Sequence, residues 1–115
     1  LTLGARQRFK QARDFVRLKA QGRRFARGCV LLNWTELPAT GTSRLGVVAA
    51  KRIGNAVVRS RAKRLMREAF RIHQHALRTP SEIVLVARDS IAGKEFAEVE
   101  RDYLASLRSA GLLKT

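Results

Sequence analysis

The chain has 115 residues, so we expect a single domain over residues 1–115. It carries 24 lysine and arginine residues against 9 aspartate and glutamate residues, a formal net charge of +15 that attracts polyanions. No segment approaches the roughly 20 apolar residues that span a bilayer. The single cysteine excludes an internal disulfide and a cysteine-based zinc cluster. These features predict a small cytoplasmic protein that binds nucleic acid rather than a membrane.

The first half of the chain is predicted to contain a helix and two strands. Apolar side chains at helical spacing predict a helix from about Gln11 to Gln21, which Gly22 ends. The apolar run Cys29–Trp34 predicts a strand with a buried cysteine, and residues 45–50 predict a second strand. Turn-forming residues at 37–43 connect the two strands. So short a connection predicts that these strands pair as an antiparallel hairpin.

The second half is predicted to form a helix, a strand and a further helix. The central helix begins after Gly54 with Asn55 as its N-cap and runs to about residue 75. The unbroken apolar run Ile83–Ala87 predicts a strand that is covered on both faces or lies in the middle of the sheet. The last helix spans roughly residues 94–109, and Gly111 ends it. The order of elements predicts a small α+β sandwich.

The positive charge is concentrated in two segments of the chain. Residues 1–28 hold nine cations and one acid, and residues 51–71 hold eight cations and one acid. Residues 79–115, by contrast, hold five cations and six acids. Because the excess is local rather than uniform, it predicts a basic binding face built from the first arm and the central helix.

The central helix is predicted to have one apolar and one cationic side. At about 100° per residue, its apolar stripe consists of Val58, Ala62, Leu65, Ala69 and Ile72, flanked by Met66 and Phe70. Six cations occupy the opposite half: Arg59, Arg61, Lys63, Arg64, Arg67 and Arg71. Like charges four residues apart cost a few tenths of a kcal/mol per pair, and an ordinary solvated face mixes both signs. We therefore predict that the stripe packs on the sheet and that the cations bind nucleic-acid phosphates.

Residues 51–71 carry a recognisable motif. Their sequence, KRIGNAVVRSRAKRLMREAFR, resembles the signature of the bacterial ribonuclease P protein, roughly K-[KR]-x-G-x-A-V-x-R-N-R-x-K-R-x-x-R-[EQ]-x-[FY]. One position departs clearly, because Ser60 stands where the family has asparagine. The basic N-terminal arm, the strands and the last helix follow the family order over nearly the whole chain.

The resemblance implies both a fold and a role. The fold is an α-β-β-(β)-α-β-α sandwich of the ribosomal-protein-S5-domain-2-like type, with a left-handed crossover at the central helix, a hand that is rare. The role is that of protein subunit in the ribonucleoprotein that removes the 5′ leader of precursor tRNA. The implied partners are the catalytic RNA, which uses Mg²⁺ for the chemistry, and the leader. We expect no catalytic residue, metal ligand or obligate protein partner for the chain itself.

The resemblance also implies which residues contact RNA. Those on or just before the central helix are Lys51, Arg52, Asn55, Arg59, Ser60, Arg61, Lys63, Arg64, Arg67 and Arg71. Three further residues are implied for the leader: Phe15 matches an aromatic of the leader cleft, whereas Lys19 and Asn33 stand where the family often has aromatics. For Phe15, stacking on a base and packing in the core both remain open.

Other functions compete with this interpretation. A ribosomal-type or RNA-chaperone protein would have similar charge, and only the motif spacing favours the ribonuclease P subunit. A self-sufficient nuclease would need metal ligands or a general base, but His73 and His75 lie two residues apart on a helix and make a poor metal pair. A membrane-surface binder would need an exposed apolar helix face, and the predicted sheet already uses that face.

Overall fold

A computed structural model describes residues 22–114, so the predicted helix at residues 11–21, with Phe15 and Lys19, lies outside the described part. Within residues 22–114 the strands are β1 (Arg23–Arg27), β2 (Val30–Glu36), β3 (Arg44–Val48) and β4 (Ser81–Ala87). The helices are α1 (Ala56–His73) and α2 (Phe96–Ala110). Short 3-10 turns lie at Lys51–Ile53, Gln74–Ala76 and Asp89–Ile91. The order β-β-β-α-β-α confirms the expected α+β class.

The sheet order is β1-β2-β4-β3. β4 pairs antiparallel with β2 and parallel with β3, so the predicted antiparallel hairpin between β2 and β3 is wrong. Residues 37–43 can span about 20 Å when extended. Two strands that flank a third lie about 10 Å apart, so this connection is long enough for β4 to lie between β2 and β3. β4 was predicted to be covered on both faces or to lie in the middle of the sheet, and both are confirmed: it has a strand on each side, and Ile83, Val84 and Leu85 are buried in succession.

β1 is an additional strand that the apolar pattern did not predict. Three of its five residues are arginines, so no alternation of apolar and polar side chains marks it. It pairs antiparallel with β2 across a tight turn at Gly28 and Cys29. Gly28 has a φ of +56°, and a Cβ there would lie 2.1 Å from Oδ2 of Asp102 on α2. A glycine is therefore required where this turn meets the helix.

The main core lies between the sheet and the two helices. The buried residues of α1 are Ala62, Leu65, Met66, Ala69 and Phe70. The predicted stripe needs one correction, because Met66 and Phe70 are fully buried whereas Ile72 is 45% exposed. Because α1 packs against α2 as well as against the sheet, the sheet alone does not decide which of its side chains are buried. Cys29 is buried, as predicted, and Trp34 is buried as well.

The helix ends follow local sequence. The Oδ1 atom of Asn55 accepts a hydrogen bond from the backbone N–H of Val58 (3.0 Å), which confirms the predicted N-cap. Glu95 and Glu98 form a reciprocal capping box at the start of α2, and Gly111 ends that helix with a φ of +75°. The left hand of the β3-α1-β4 crossover stays a prediction. In the described part of the chain no helix is long and apolar enough to cross a membrane.

Candidate nucleic-acid interface

The predicted RNA-contacting residues of α1 lie on the side of the helix that the core leaves open. Ser60 and Arg64 are exposed, and the neighbouring cations are half-buried along their aliphatic stems: Arg59, Arg61, Lys63, Arg67 and Arg71. Lys51, Arg52 and Asn55, just before the helix, are exposed as well. We call the side of α1 and of its entry loop that carries these ten residues the α1 face.

Three cations of the α1 face have no hydrogen bond or ion pair to any residue between 22 and 114. They are Lys51, Lys63 and Arg64. A phosphate that binds these side chains therefore competes with no hydrogen-bond acceptor among residues 22–114. Guanidinium matches two phosphate oxygens at once, so Arg64 is the best placed of the three for a bidentate contact.

Two other arginines are held in place by backbone carbonyls. Arg59 donates from Nε to the carbonyl of Gly54 (3.2 Å). Arg61 donates from Nη1 to the carbonyl of Lys94 (2.7 Å), and its Nη2 lies 3.8 Å from Oε2 of Glu95. A guanidinium has five N–H donors, so each keeps donors for an external anion. These contacts orient the two side chains before any ligand arrives.

The remaining pairs on the α1 face join cations to carboxylates. Arg52 donates from Nε to Asp89 (2.8 Å), and both side chains are largely exposed. An exposed pair of this kind is worth about 0–1 kcal/mol, so phosphate can displace Asp89. Arg71 makes a two-point contact with Glu68. The hydrogen bonds from Arg71 lower the pKa of Glu68, and those to Glu68 raise the pKa of Arg71.

Asn33, predicted to bind the leader, lies apart from the α1 face. It sits in the middle of β2, on the sheet face opposite the two helices, and its side chain is buried. Its Nδ2 donates to the carbonyl of Val84 at the long distance of 3.5 Å, and its Oδ1 has no partner among the described residues. The structure thus separates the predicted contacts into two surfaces on different sides of the molecule.

Arg24 is a neighbour of Asn33 that the sequence did not predict. It is directly opposite Asn33 in the β1-β2 register and is exposed. Directly opposite residues on paired strands point to the same face of the sheet, so Arg24 adds a cation beside Asn33. The apolar pattern could not have placed it there, because that pattern did not predict β1.

Two titratable residues away from the α1 face, Cys29 and His73, have structural partners. The backbone N–H of Cys29 donates to Asp102 (2.9 Å). Burial, and then the hydrogen bond to Asp102, raise the pKa of the Cys29 thiol to about 12. His73 is half-buried, and its Nε2 lies 2.8 Å from Oε2 of Glu100. Between residues 22 and 114 no group of three or more histidine, cysteine or acidic side chains could hold a metal.

The sequence of the chain matches one protein family over nearly its whole length. Residues 3–111 match the sequence profile of the family described as Ribonuclease P. The chain is 33% identical over 110 residues to the ribonuclease P protein component of Syntrophomonas wolfei, covering 96% of this chain and 92% of that protein.

Solved structures agree with the sequence comparison. The RNase P protein of Staphylococcus aureus superimposes with a TM-score of 0.84 at 25% identity, covering 94% of this chain and 98% of that one. The RNase P protein of Thermotoga maritima gives a TM-score of 0.78 at 24% identity, covering 89% and 96% of the two chains. The latter supports the fold alone.

Proposed function

Because this chain belongs to the ribonuclease P protein family, we propose that it binds the catalytic RNA of ribonuclease P and the 5′ leader of precursor tRNA. It is a protein component of a tRNA-processing ribonucleoprotein. In our proposal the RNA subunit, with Mg²⁺, cleaves the leader, and this chain contributes binding rather than a catalytic residue. The proposed site of action is the cytoplasm.

The observation that carries this proposal is the arrangement of cations on the α1 face. Residues 51–71 contain eight cations and one acid. Of these cations, Lys51, Lys63 and Arg64 have no partner among the described residues, whereas Arg59 and Arg61 are oriented by backbone carbonyls. Each phosphate that these groups neutralise releases condensed counterions. The α1 face therefore suits the closely spaced phosphates of a folded RNA.

The sheet face opposite the helices is the second surface in the proposal. Asn33 and Arg24 lie side by side there, and Phe15 and Lys19 are proposed to contribute from outside the described residues. An amide can hydrogen-bond base edges and an arginine can hold the backbone. In this proposal the leader is held by hydrogen bonds and charge at the positions where the family often has aromatic side chains.

A ribosomal-type or RNA-chaperone protein remains the alternative to be tested against. It is supported by charge alone, whereas the family match extends over residues 3–111. The two functions differ in one measurable respect. A general RNA-binding protein should not stimulate one specific RNA to cleave one specific bond.

Reconstitution with the cognate catalytic RNA tests the proposal directly. The chain alone should leave precursor tRNA uncut with or without Mg²⁺, and the RNA with the chain should release the 5′ leader at Mg²⁺ concentrations where the RNA alone is slow. A variant with Lys51, Lys63 and Arg64 all changed to alanine should fold but should stimulate cleavage by the RNA only weakly. Absence of any stimulation by the unmodified chain would refute the proposed function.

A further inference from the structure

Val57 is an apolar side chain that the fold leaves in solvent. It lies in the first turn of α1 and is 76% exposed, more than any other large apolar residue among those described. A β-branched residue has a lower helix propensity than alanine, and here it gains little from packing. Isolated exposed apolar residues are common on proteins, so the significance of Val57 depends on its surroundings.

The surroundings form an open depression of about 470 Å³. Its lining, which we call the Val57 groove, consists of Ala56, Val57, Ser60, Arg61 and Arg64. The floor is apolar, and the remaining lining groups are one hydroxyl and two guanidinium groups. No acidic residue lines it. The groove therefore combines an apolar contact surface with positive charge and a hydrogen-bonding group.

The helix explains why these groups meet. Arg61 follows Val57 by four residues and Arg64 follows Val57 by seven, so the three side chains share one stripe of α1. Arg61 is held by the carbonyl of Lys94 at 2.7 Å. Arg64 has no partner among residues 22–114. One guanidinium is thus fixed in position, and the other can move to meet a ligand.

We propose that the Val57 groove receives one unstacked nucleotide of the RNA that binds the α1 face. The ribose or the flat face of the base contacts Val57 and Ala56, and the adjoining phosphate accepts hydrogen bonds from Arg64 and Ser60. This occupant fits because a nucleotide is itself apolar on the faces of its base and anionic at its phosphate, which matches the two kinds of lining group. The inference rests on the proposed function and deepens it.

The apolar and the charged contacts of the groove should differ in how they depend on salt concentration, and this difference can be measured. Contacts between cations and phosphates weaken with salt, because salt opposes counterion release. An apolar contact at Val57 buries surface and releases no counterions, so its contribution to affinity is the same at low and high salt. Val57 should therefore change the affinity at every salt concentration without changing the slope, whereas Arg64 should change the slope.

Equilibrium binding of the full chain to its catalytic RNA over a range of salt concentrations tests this inference. Val57→Thr keeps the shape of the side chain and replaces one methyl group by a hydroxyl. We expect it to raise Kd by about three- to tenfold at every salt concentration, a change of roughly one buried methylene group. Arg64→Ala should make the slope of log K against log salt shallower by about one unit.

Ile72→Thr is the matched control. Ile72 is also exposed and β-branched on α1, but it lies 15 residues further along the helix, about 22 Å from Val57 along the axis. It should leave Kd unchanged. Chemical probing of the RNA should show one nucleotide that is protected by the unmodified chain and becomes reactive with Val57→Thr.

The outcomes separate this inference from the proposed function. An unchanged Kd for Val57→Thr, together with a shallower slope for Arg64→Ala, would refute nucleotide binding in the Val57 groove but would leave RNA binding by the α1 face intact. An unchanged slope for Arg64→Ala would instead count against the α1 face. Equal losses of RNA affinity for Val57→Thr and Ile72→Thr would show that the apolar contact is not confined to the Val57 groove and would overturn the inference. A change in self-association with no change in RNA affinity would make the groove a contact between copies of the chain and overturn the inference.

Discussion

Arg71 donates two hydrogen bonds to the carboxylate of Glu68, one turn earlier on α1. Glu68 is the single acid within residues 51–71, so the most basic segment of the chain contains its own internal counterion. A carboxylate that binds a guanidinium at two points competes with phosphate for the same donors. Part of the charge of Arg71 is accordingly neutralised before RNA arrives.

Replacing Glu68 with glutamine should strengthen RNA binding. The substitution preserves the size of the side chain, removes one negative charge and releases Arg71 to contact phosphate. We expect a lower Kd at low salt and a steeper salt dependence, by about one unit in the slope. Titration of labelled catalytic RNA at several salt concentrations measures both. Glu36→Gln, at an exposed carboxylate paired with Arg78 at the end of β2, is the control and should have no effect.

The pH dependence of this effect has a defined sign. Pairing lowers the pKa of Glu68, so the pair is present above the ordinary pKa of a glutamate and is lost only when the pH falls through the lowered value. The gain in affinity from Glu68→Gln should therefore be constant between about pH 6 and pH 8. A gain that varies over that range would show that another group controls it.

Lys63→Ala and Arg64→Ala should weaken RNA binding without weakening the fold. Neither side chain has a partner among residues 22–114, so the free energy of unfolding should change by no more than about 0.5 kcal/mol. Each should make the salt slope shallower by about one unit. Arg61→Ala, which also removes the hydrogen bond to the Lys94 carbonyl, should lower both affinity and stability. Binding titrations combined with urea denaturation distinguish the two classes.

Phe15→Ala and Asn33→Ala should lower affinity for precursor tRNA more than affinity for mature tRNA. Loss of a stacked base would cost about 1–3 kcal/mol if Phe15 contacts the leader. The Oδ1 of Asn33 is buried and has no partner among the described residues, so a contact with the leader would require this face of the sheet to open. Competition binding of the holoenzyme with leader-bearing and leaderless substrates measures the ratio. Equal losses on the two substrates would assign the residue to packing.

Cys29 should resist thiol reagents while the protein is folded. Its side chain is buried, and its pKa is raised to about 12 by burial and by Asp102, so at about pH 8 the reactive thiolate is scarce as well as shielded. Labelling should follow unfolding in a denaturant titration. Asp102→Ala removes the acceptor of the Cys29 N–H and should bring labelling forward to lower denaturant. Fast labelling of the native protein would contradict a buried Cys29 held by Asp102.

Tyr103→Phe should stabilise the protein or leave it unchanged. The hydroxyl of Tyr103 is buried and has no hydrogen-bond partner among residues 22–114, and burial raises the pKa of this phenol. Removing an unsatisfied hydroxyl relieves a desolvation cost of about 1–3 kcal/mol, while the ring still fills the core. Tyr103→Ala, which leaves a cavity, should cost about 3–5 kcal/mol. Urea denaturation of the three proteins gives the comparison, and a clear loss in Tyr103→Phe would reveal a bonded hydroxyl.

The sequence alone determined the features that depend on neighbouring residues. Asn55 caps α1 and Gly111 ends α2 because a helix closes its hydrogen bonds within four residues. The cations of α1 lie opposite the core because helical periodicity places them there. The burial of β4 was also predictable, because its apolar run is unbroken. The motif in residues 51–71 was sufficient to indicate the family.

Only the tertiary structure decided which distant segments meet. β4 separates β2 from β3, and Arg24 lies opposite Asn33, because strand pairing is decided by the burial of the whole sheet and not by the length of one connection. The carbonyl that holds Arg61 belongs to a residue 33 positions later. Likewise, Ile72 is exposed and Phe70 is buried on a helix that packs against both the sheet and α2. Contacts between segments far apart in the chain depend on how the whole core packs, and a local sequence pattern does not determine that packing.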